Sequence, residues 1–360
     1  MRIVHLARDE KFIPLMRDLF ERAHPGANRW LIARRSRAAL KFVAAGPDVT
    51  DRAEWWFRTP LIARDVAGAD AIVAHSMSTI FANAILRAPA RTRVAWLGWG
   101  YDYYPLLGSL LGPPLLPATR ALVGADDDEP AADKSQALQR VASRLHCFSV
   151  LPTEVGLLRR ALPALCAVHH ELPLFTAEDV FGRGGADMSG ADVLVGNSAT
   201  ASNNHLEAFE WLSGRAGYGR VIVPLSYGNA AYGRQVADAG RRVFGDRFDP
   251  LIDWMSIDDY NRRIAGCGFV LMNHRRQQAV GNVGAAVFRG ATVVMRPENP
   301  LYAFYRDLGL HLRSIDDLEA GAPLEPITSA QKAENRQRIG AHYARDRVVQ
   351  AIRELPALAG

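Results

Sequence analysis

The sequence predicts an α/β protein of two doubly wound parallel-sheet domains, and three observations carry that expectation. The 360-residue chain exceeds the size at which one core keeps growing, so two domains of ordinary size fit it. Short β-rich runs alternate with helical periodicity along both halves, the pattern of a sheet covered on both faces. Between the halves, Phe175 to Gly190 shows little regular signal and holds Gly182, Gly184, Gly185 and Gly190, which marks a linker. The expected spans are 1–185 for the first domain and 186–345 for the second, with 346–360 a C-terminal helix or tail that returns to the first.

In the first half, Ile3 to Leu6, Ala71 to Ala74, Val94 to Leu97 and Leu145 to Val150 read as buried strands. Phe12 to Ala23, Ser78 to Arg87 and Lys134 to Arg144 carry helical periodicity. The second half is more regular. Asp192 to Val195 is a strand, Asn203 to Leu212 a helix, Arg220 to Val223 a strand, and Ala231 to Ala239 a helix closed by Gly240. Ser256 caps a helix to about Ala265, Phe269 to Met272 is a strand, Val283 to Arg289 a helix closed by Gly290, and Thr292 to Met295 a strand. Asp126, Asp127, Asp128 and Glu129 form a short acidic run that reads as a solvated loop.

Composition narrows the partners. A hydrophobic share of 49% with 22% charged residues describes a globular protein, and no run of eighteen apolar residues occurs. The N-terminus reads as a core strand instead of a signal segment, which points to the cytoplasm. Cys147, Cys166 and Cys267 are too scattered for a disulfide framework or a zinc site and read as packed core thiols. The net charge of +5 is spread over many arginines, which suits an anionic ligand or membrane surface; nucleic acid is not an expected partner.

Ligands of open parallel sheets bind beyond the carboxyl ends of the strands, so the residues that follow each strand are the first candidates. After Val195 comes Gly196-Asn197-Ser198, then Thr200 and Asn203, where loop amides, hydroxyls and a helix N-terminus suit a diphosphate. An ordinary loop with Asn203 as helix cap reads the same residues equally well. After Asn273 come Arg275, Arg276, Gln277, Gln278 and Asn282: the guanidinium forks match phosphate oxygens and the amides suit a base or sugar hydroxyls. After Met295, Glu298 offers a bidentate grip on a ribose or sugar, while Asn299 with Pro300 also spells a helix cap and first turn. In the first half, Trp99-Gly100-Tyr101-Asp102-Tyr103-Tyr104 follows a strand, and Asp102 between aromatics is the candidate general base of an inverting reaction. His75 occupies an equivalent place and reads also as a core histidine. The leucine-rich, proline-broken stretch Pro105 to Gly124 suits either a bilayer interface or core packing.

On these residues the chain resembles the TDP-N-acetylfucosamine:lipid II N-acetylfucosaminyltransferase family, 4-alpha-L-fucosyltransferase-like glycosyltransferases. The matching stretches are Val193 to Ser198 with Ser202, Asn203 and His205; Val221 to Leu225 with Tyr227; Arg276-Gln277-Gln278 with Gly281; and Glu298-Asn299-Pro300. Weaker similarity reaches Trp99-Gly100, Asp102 and Tyr104, and Cys147 to Glu154. An additional arginine, Arg275, precedes the Arg-Gln-Gln unit, and the N-terminal third matches poorly.

The resemblance implies a GT-B fold, two Rossmann-like domains facing each other across a cleft. It also implies transfer of a sugar, such as the N-acetylated amino-deoxy sugar Fuc4NAc, from a dTDP- or UDP-sugar to a lipid-linked saccharide or other surface glycan. No cofactor or metal is called for, and the enzyme would sit peripherally on the inner membrane. Gly196, Asn197, Ser198, Arg275, Arg276, Gln277, Gln278, Asn282, Glu298 and Asn299 would bind the donor; His75, Trp99, Gly100 and Tyr104 would bind the acceptor. A polysaccharide pyruvyltransferase-like enzyme and a non-catalytic nucleotide-sugar sensor are the rival readings.

Overall fold

The computed structural model describes residues 1–36, 38–123, 131–181 and 185–358, so the acidic run at 126–129 lies outside the described residues. The chain forms two compact units: Met1–Leu110 with Glu129–Thr176 and Arg345–Gly360, and Leu111–Asp128 with Ala177–Ala344.

The first unit is built on a seven-stranded sheet. Its strands are β1 (Ile3–Arg8), β2 (Asn28–Arg34), β3 (Val49–Ala53), β4 (Ala71–His75), β5 (Arg93–Leu97), β6 (Cys147–Ser149) and β7 (Val168–His169). Their order is β3-β2-β1-β4-β5-β6-β7, all parallel. β1, β4 and β5 are almost wholly apolar because helices cover both faces. Ile13, Met16 and Phe20 of the helix Ile13–Ala23 share a buried cluster with Val348, Val349 and Ile352 of the C-terminal helix Arg345–Arg353.

The second unit holds a six-stranded sheet: β8 (Val193–Val195), β9 (Val221–Pro224), β10 (Phe248–Leu251), β11 (Phe269–Met272), β12 (Thr292–Met295) and β13 (Arg313–Ser314). The order is β10-β9-β8-β11-β12-β13, again parallel throughout. The helix expected to close at Gly240 runs on from Ala230 to Phe244. Gly240 is buried within it, and a Cβ there would lie 2.1 Å from the Phe248 ring, so this glycine serves close helix–strand packing. Gly245, at φ +55°, follows the last turn instead.

Four of the strands that the periodicity did not mark, β3, β7, β10 and β13, lie at sheet edges, whereas β2, also unmarked, is interior and largely buried. β3 is a polar edge strand, and β10 carries Asp249 and Pro250, which an edge strand tolerates. Cys147 and Cys267 are buried, with burial pushing the thiols up to about 11 and about 12, but Cys166 is exposed in the turn after the helix Val155–Ala161 and is no core thiol. Among the described residues, no helix is long and apolar enough to cross a membrane. In the leucine-rich stretch, Leu115, Leu122 and Val123 pack against the core of the second unit, and Leu110 stays exposed.

Candidate donor site and the loops of the first unit

In each sheet the strand order reverses beside the first strand of the unit, and the crevice of such a fold opens beyond the strand ends at that point. In the second unit the reversal falls between β8 and β11. The loops that follow these strands are Gly196 to Asn204 and Asn273 to Ala279, so the structure brings together the two segments singled out in sequence.

Side-chain amides join them. Gln278 accepts a hydrogen bond from the Ser202 hydroxyl at 2.6 Å and donates to Asn197 Oδ1 at 3.2 Å. Asn203 is buried at the centre. It donates to the carbonyls of Ser198 and Thr200, and its Oδ1 takes the Asn197 N–H at 2.9 Å and lies 2.8 Å from His274 Nε2. Asn204 and Asn273 exchange bonds with each other's carbonyls, and Arg296 Nε donates to Asn273 Oδ1. Gly196, at φ +68°, must be glycine: a Cβ would lie 2.6 Å from Asn203 Oδ1 and 2.9 Å from His205 Nε2.

Several expected roles change. Four amides of this loop are not open to a ligand, because Gly196 N–H donates to Leu271, Asn197 N–H to Asn203, Ala199 N–H to Tyr227 and Thr200 N–H to Ser198. Ser198 is buried with its hydroxyl 3.0 Å from that of Thr200. Asn203 does not cap the helix His205–Ser213; Asn204 occupies the cap position in a left-handed conformation. Asn299 is wholly buried. It caps the helix Pro300–Asp307 and donates to the carbonyls of His274 and Arg276, so it shapes the arginine loop from beneath and cannot reach a ligand. Asn282 is exposed in the first turn of the helix Val280–Phe288 and interacts with the Tyr260 hydroxyl.

Arg275, Arg276, Gln277 and Gln278 are half-buried, and Glu298 is exposed. Arg275 donates to the Pro113 carbonyl at 2.8 Å, and Glu298 lies within ion-pair range of Arg275 (3.5 Å) and Arg296 (3.7 Å). Burial pushes the His205 and His274 imidazoles down to about 3, with the Arg276 charge adding to the effect on His274, so both are neutral at working pH. The loops therefore present a cationic, amide-lined edge on an uncharged support.

In the first unit the reversal lies between β1 and β4. Asp102 is fully buried. Its carboxylate accepts from the Met77 N–H (2.8 Å), the Trp96 indole (2.8 Å) and the Trp99 N–H (2.9 Å). Burial holds this carboxyl up to about 6. With three donors on its two oxygens and no exposed surface, Asp102 ties the β4 and β5 loops together and is not available as a base.

His75 is buried, with Nε2 3.1 Å from His5 Nδ1, and is a core histidine. Tyr104 is buried, and its hydroxyl donates to Glu154, as does that of Tyr103. Gly100, at φ +88°, forms the turn whose carbonyl receives the Tyr103 and Tyr104 amides, and Trp99 packs against Phe12. Tyr104 is thus engaged by Glu154, while His75 Nδ1 and Trp99 Nε1 are buried without a hydrogen-bond partner among the described residues. Reasoning from sequence marked Ser202 only as part of the family resemblance, with no role of its own, and passed over Glu10. Glu10 follows β1, and the same rule of reading beyond each strand end finds it.

This geometry of two doubly wound parallel sheets is shared over nearly the whole chain with solved structures. The Anabaena protein HepE in complex with UDP-glucose superposes with a TM-score of 0.63 at 12% identity, covering 98% of this chain and 99% of that one. A sucrose-phosphate synthase from Thermosynechococcus elongatus gives a TM-score of 0.67 at 10% identity, covering 99% and 98%. The fold is GT-B, and the chain is a glycosyltransferase. Residues 182–325, which contain both switch-point loops of the second unit, match the family described as 4-alpha-L-fucosyltransferase glycosyl transferase group 56.

Proposed function

We propose that this glycosyltransferase takes its sugar from a dTDP- or UDP-sugar held at the loops after β8 and β11. The observation that carries the reading is the convergence of Arg275, Arg276 and Gln278 with Asn197 and Ser202 at the reversal point of one sheet. Arg275 and Arg276 meet the charge that grows on the departing diphosphate without a bound metal. Gln277, Gln278 and Asn197 address hydroxyls or the base, and Glu298 addresses the ribose or the sugar. Fixed charges aimed where charge develops lower the barrier because they need no reorganisation during the reaction.

The acceptor in this reading is a lipid-linked saccharide or related surface glycan, met at the membrane surface. The family resemblance supports it, and so do the exposed Trp55 and the exposed Phe42, with the Lys41 ammonium over its ring, on the first unit.

The test is nucleotide release from UDP- and dTDP-sugars by the wild type and by Arg276→Ala. Turnover in the variant should fall by about 10²–10³, the usual loss when one charge-stabilising donor is removed. Equal turnover would remove Arg276 from the site.

A further inference from the structure

The donor reading leaves unused a cavity in the first unit of about 280 Å³, beyond the carboxyl ends of β1 and β2, lined among others by Arg8, Asp9, Glu10, Arg34, Arg35 and Ser36. Its charges are matched. Arg8 and Arg35 converge on Glu54, and Arg34 pairs with Asp51 at 2.5 Å. Asp9 accepts the amides of Lys41, Phe42 and Val43, which pins the 38–43 loop as one wall. Among the described residues, three guanidinium groups thus face or adjoin four carboxylates, a balance that disfavours capture of a polyanion such as a diphosphate.

Glu10 differs from the other lining carboxylate. Among the described residues no ion pair engages it; its Oε1 receives a long 3.4 Å contact from Tyr101, whose hydroxyl is better bonded to Ser76 Oγ at 2.8 Å. Ser76 itself holds φ +73° at the end of β4, a conformation that costs energy outside glycine and gathers at functional sites. Donors and acceptors in fixed, charge-balanced positions around a cavity of this size are what an uncharged polyhydroxyl ring requires.

We propose that this cavity is the acceptor's saccharide subsite, with the Glu10 carboxylate accepting a sugar hydroxyl and Arg35 and Ser36 donating to others. The assignment rests on the glycosyltransferase reading and moves the acceptor from the Trp99–Tyr104 segment to the β1 and β2 ends.

Saturation-transfer NMR on the full chain tests it, with D-glucose and N-acetylglucosamine as neutral probes and inorganic pyrophosphate as the anionic one. At least one sugar should receive saturation in the wild type. Glu10→Ala should weaken its binding by about tenfold or more, the loss expected for a hydrogen bond to a charged group, and Ser36→Trp, which fills the cavity, should abolish it. Stabilisation of the protein by UDP should be unchanged in both variants. Sugar signals that survive both substitutions, binding of pyrophosphate in place of sugars, or no binding of either probe would overturn the assignment. Loss of nucleotide stabilisation in the wild type with sugar binding intact would instead remove the donor reading and leave the saccharide site standing.

Discussion

In the second unit the crevice loops are tied together by neutral amides and imidazoles, whereas in the first unit they hang on buried carboxylates. Asn203 joins the β8 loop to His274 after β11, and Asn299 supports the arginine segment from below. In the loops after β4, β5 and β6 of the first unit, Asp102 collects Met77, Trp96 and Trp99, and Glu154 collects Tyr103 and Tyr104. The difference teaches what each crevice can accept. A support without formal charge leaves the guanidinium groups of Arg275 and Arg276 to set the local potential, which favours a phosphate-bearing group. In the first unit the guanidinium groups after β1 and β2 are already paired with carboxylates, which suits an uncharged partner.

Substitutions at the hubs break this comparison, the largest effect coming first. Asn203→Ala removes four side-chain contacts at once and leaves the Asn197 amide and His274 Nε2 without their partner, each costing about 1–3 kcal/mol. Chemical denaturation should show the second unit strongly destabilised and nucleotide binding lost; wild-type stability would refute the hub. Asp102→Asn is smaller. The new NH₂ faces an N–H donor, so a loss of about 1–3 kcal/mol is expected, with residual sugar transfer tracking the folded fraction. Abolished transfer in a fully folded variant would return Asp102 to the chemistry.

The pH dependence sharpens the contrast. Burial holds the Glu154 carboxyl up to about 7, above its ordinary 4.5, so the folded protein binds this proton more tightly than the unfolded chain does. Its contribution to stability is full below about pH 4.5 and is lost as pH rises through about 7. Glu154→Gln should therefore flatten the fall in stability between acid and neutral pH, measured by denaturant titration at several pH values. An unchanged slope would show that Glu154 does not titrate in this window. Smallest of all, Glu298→Gln touches only an exposed ion pair and should shift stability by less than about 1 kcal/mol, while nucleotide-sugar KM rises if it grips the ribose or sugar.

Much of this was legible in the sequence because position after a strand is a topological fact. Gly196 to Ser198 and Arg275 to Gln278 follow strands of clear hydrophobic pattern, and parallel pairing of β8 with β11 makes them neighbours. What the chain does not spell out is which way a polar atom is turned. Asn299 and Gln278 look alike as letters, yet one is buried as a cap and the other lies at the crevice. The same holds for Asp102, whose flanking aromatics suggested a general base without revealing that three donors already occupy the carboxylate. Gly240 misled for a related reason: a glycine near a helix end reads as a stop, and only the Phe248 ring shows that the requirement is space.

The central claim is that the loops after β8 and β11 form the nucleoside-diphosphate site. Hydrogen exchange with and without saturating UDP or dTDP addresses it most directly. The account predicts slowed exchange confined to peptides spanning 196–205 and 273–282, abolished in Arg276→Ala. Protection absent from both segments, or appearing only in the first unit, would contradict it.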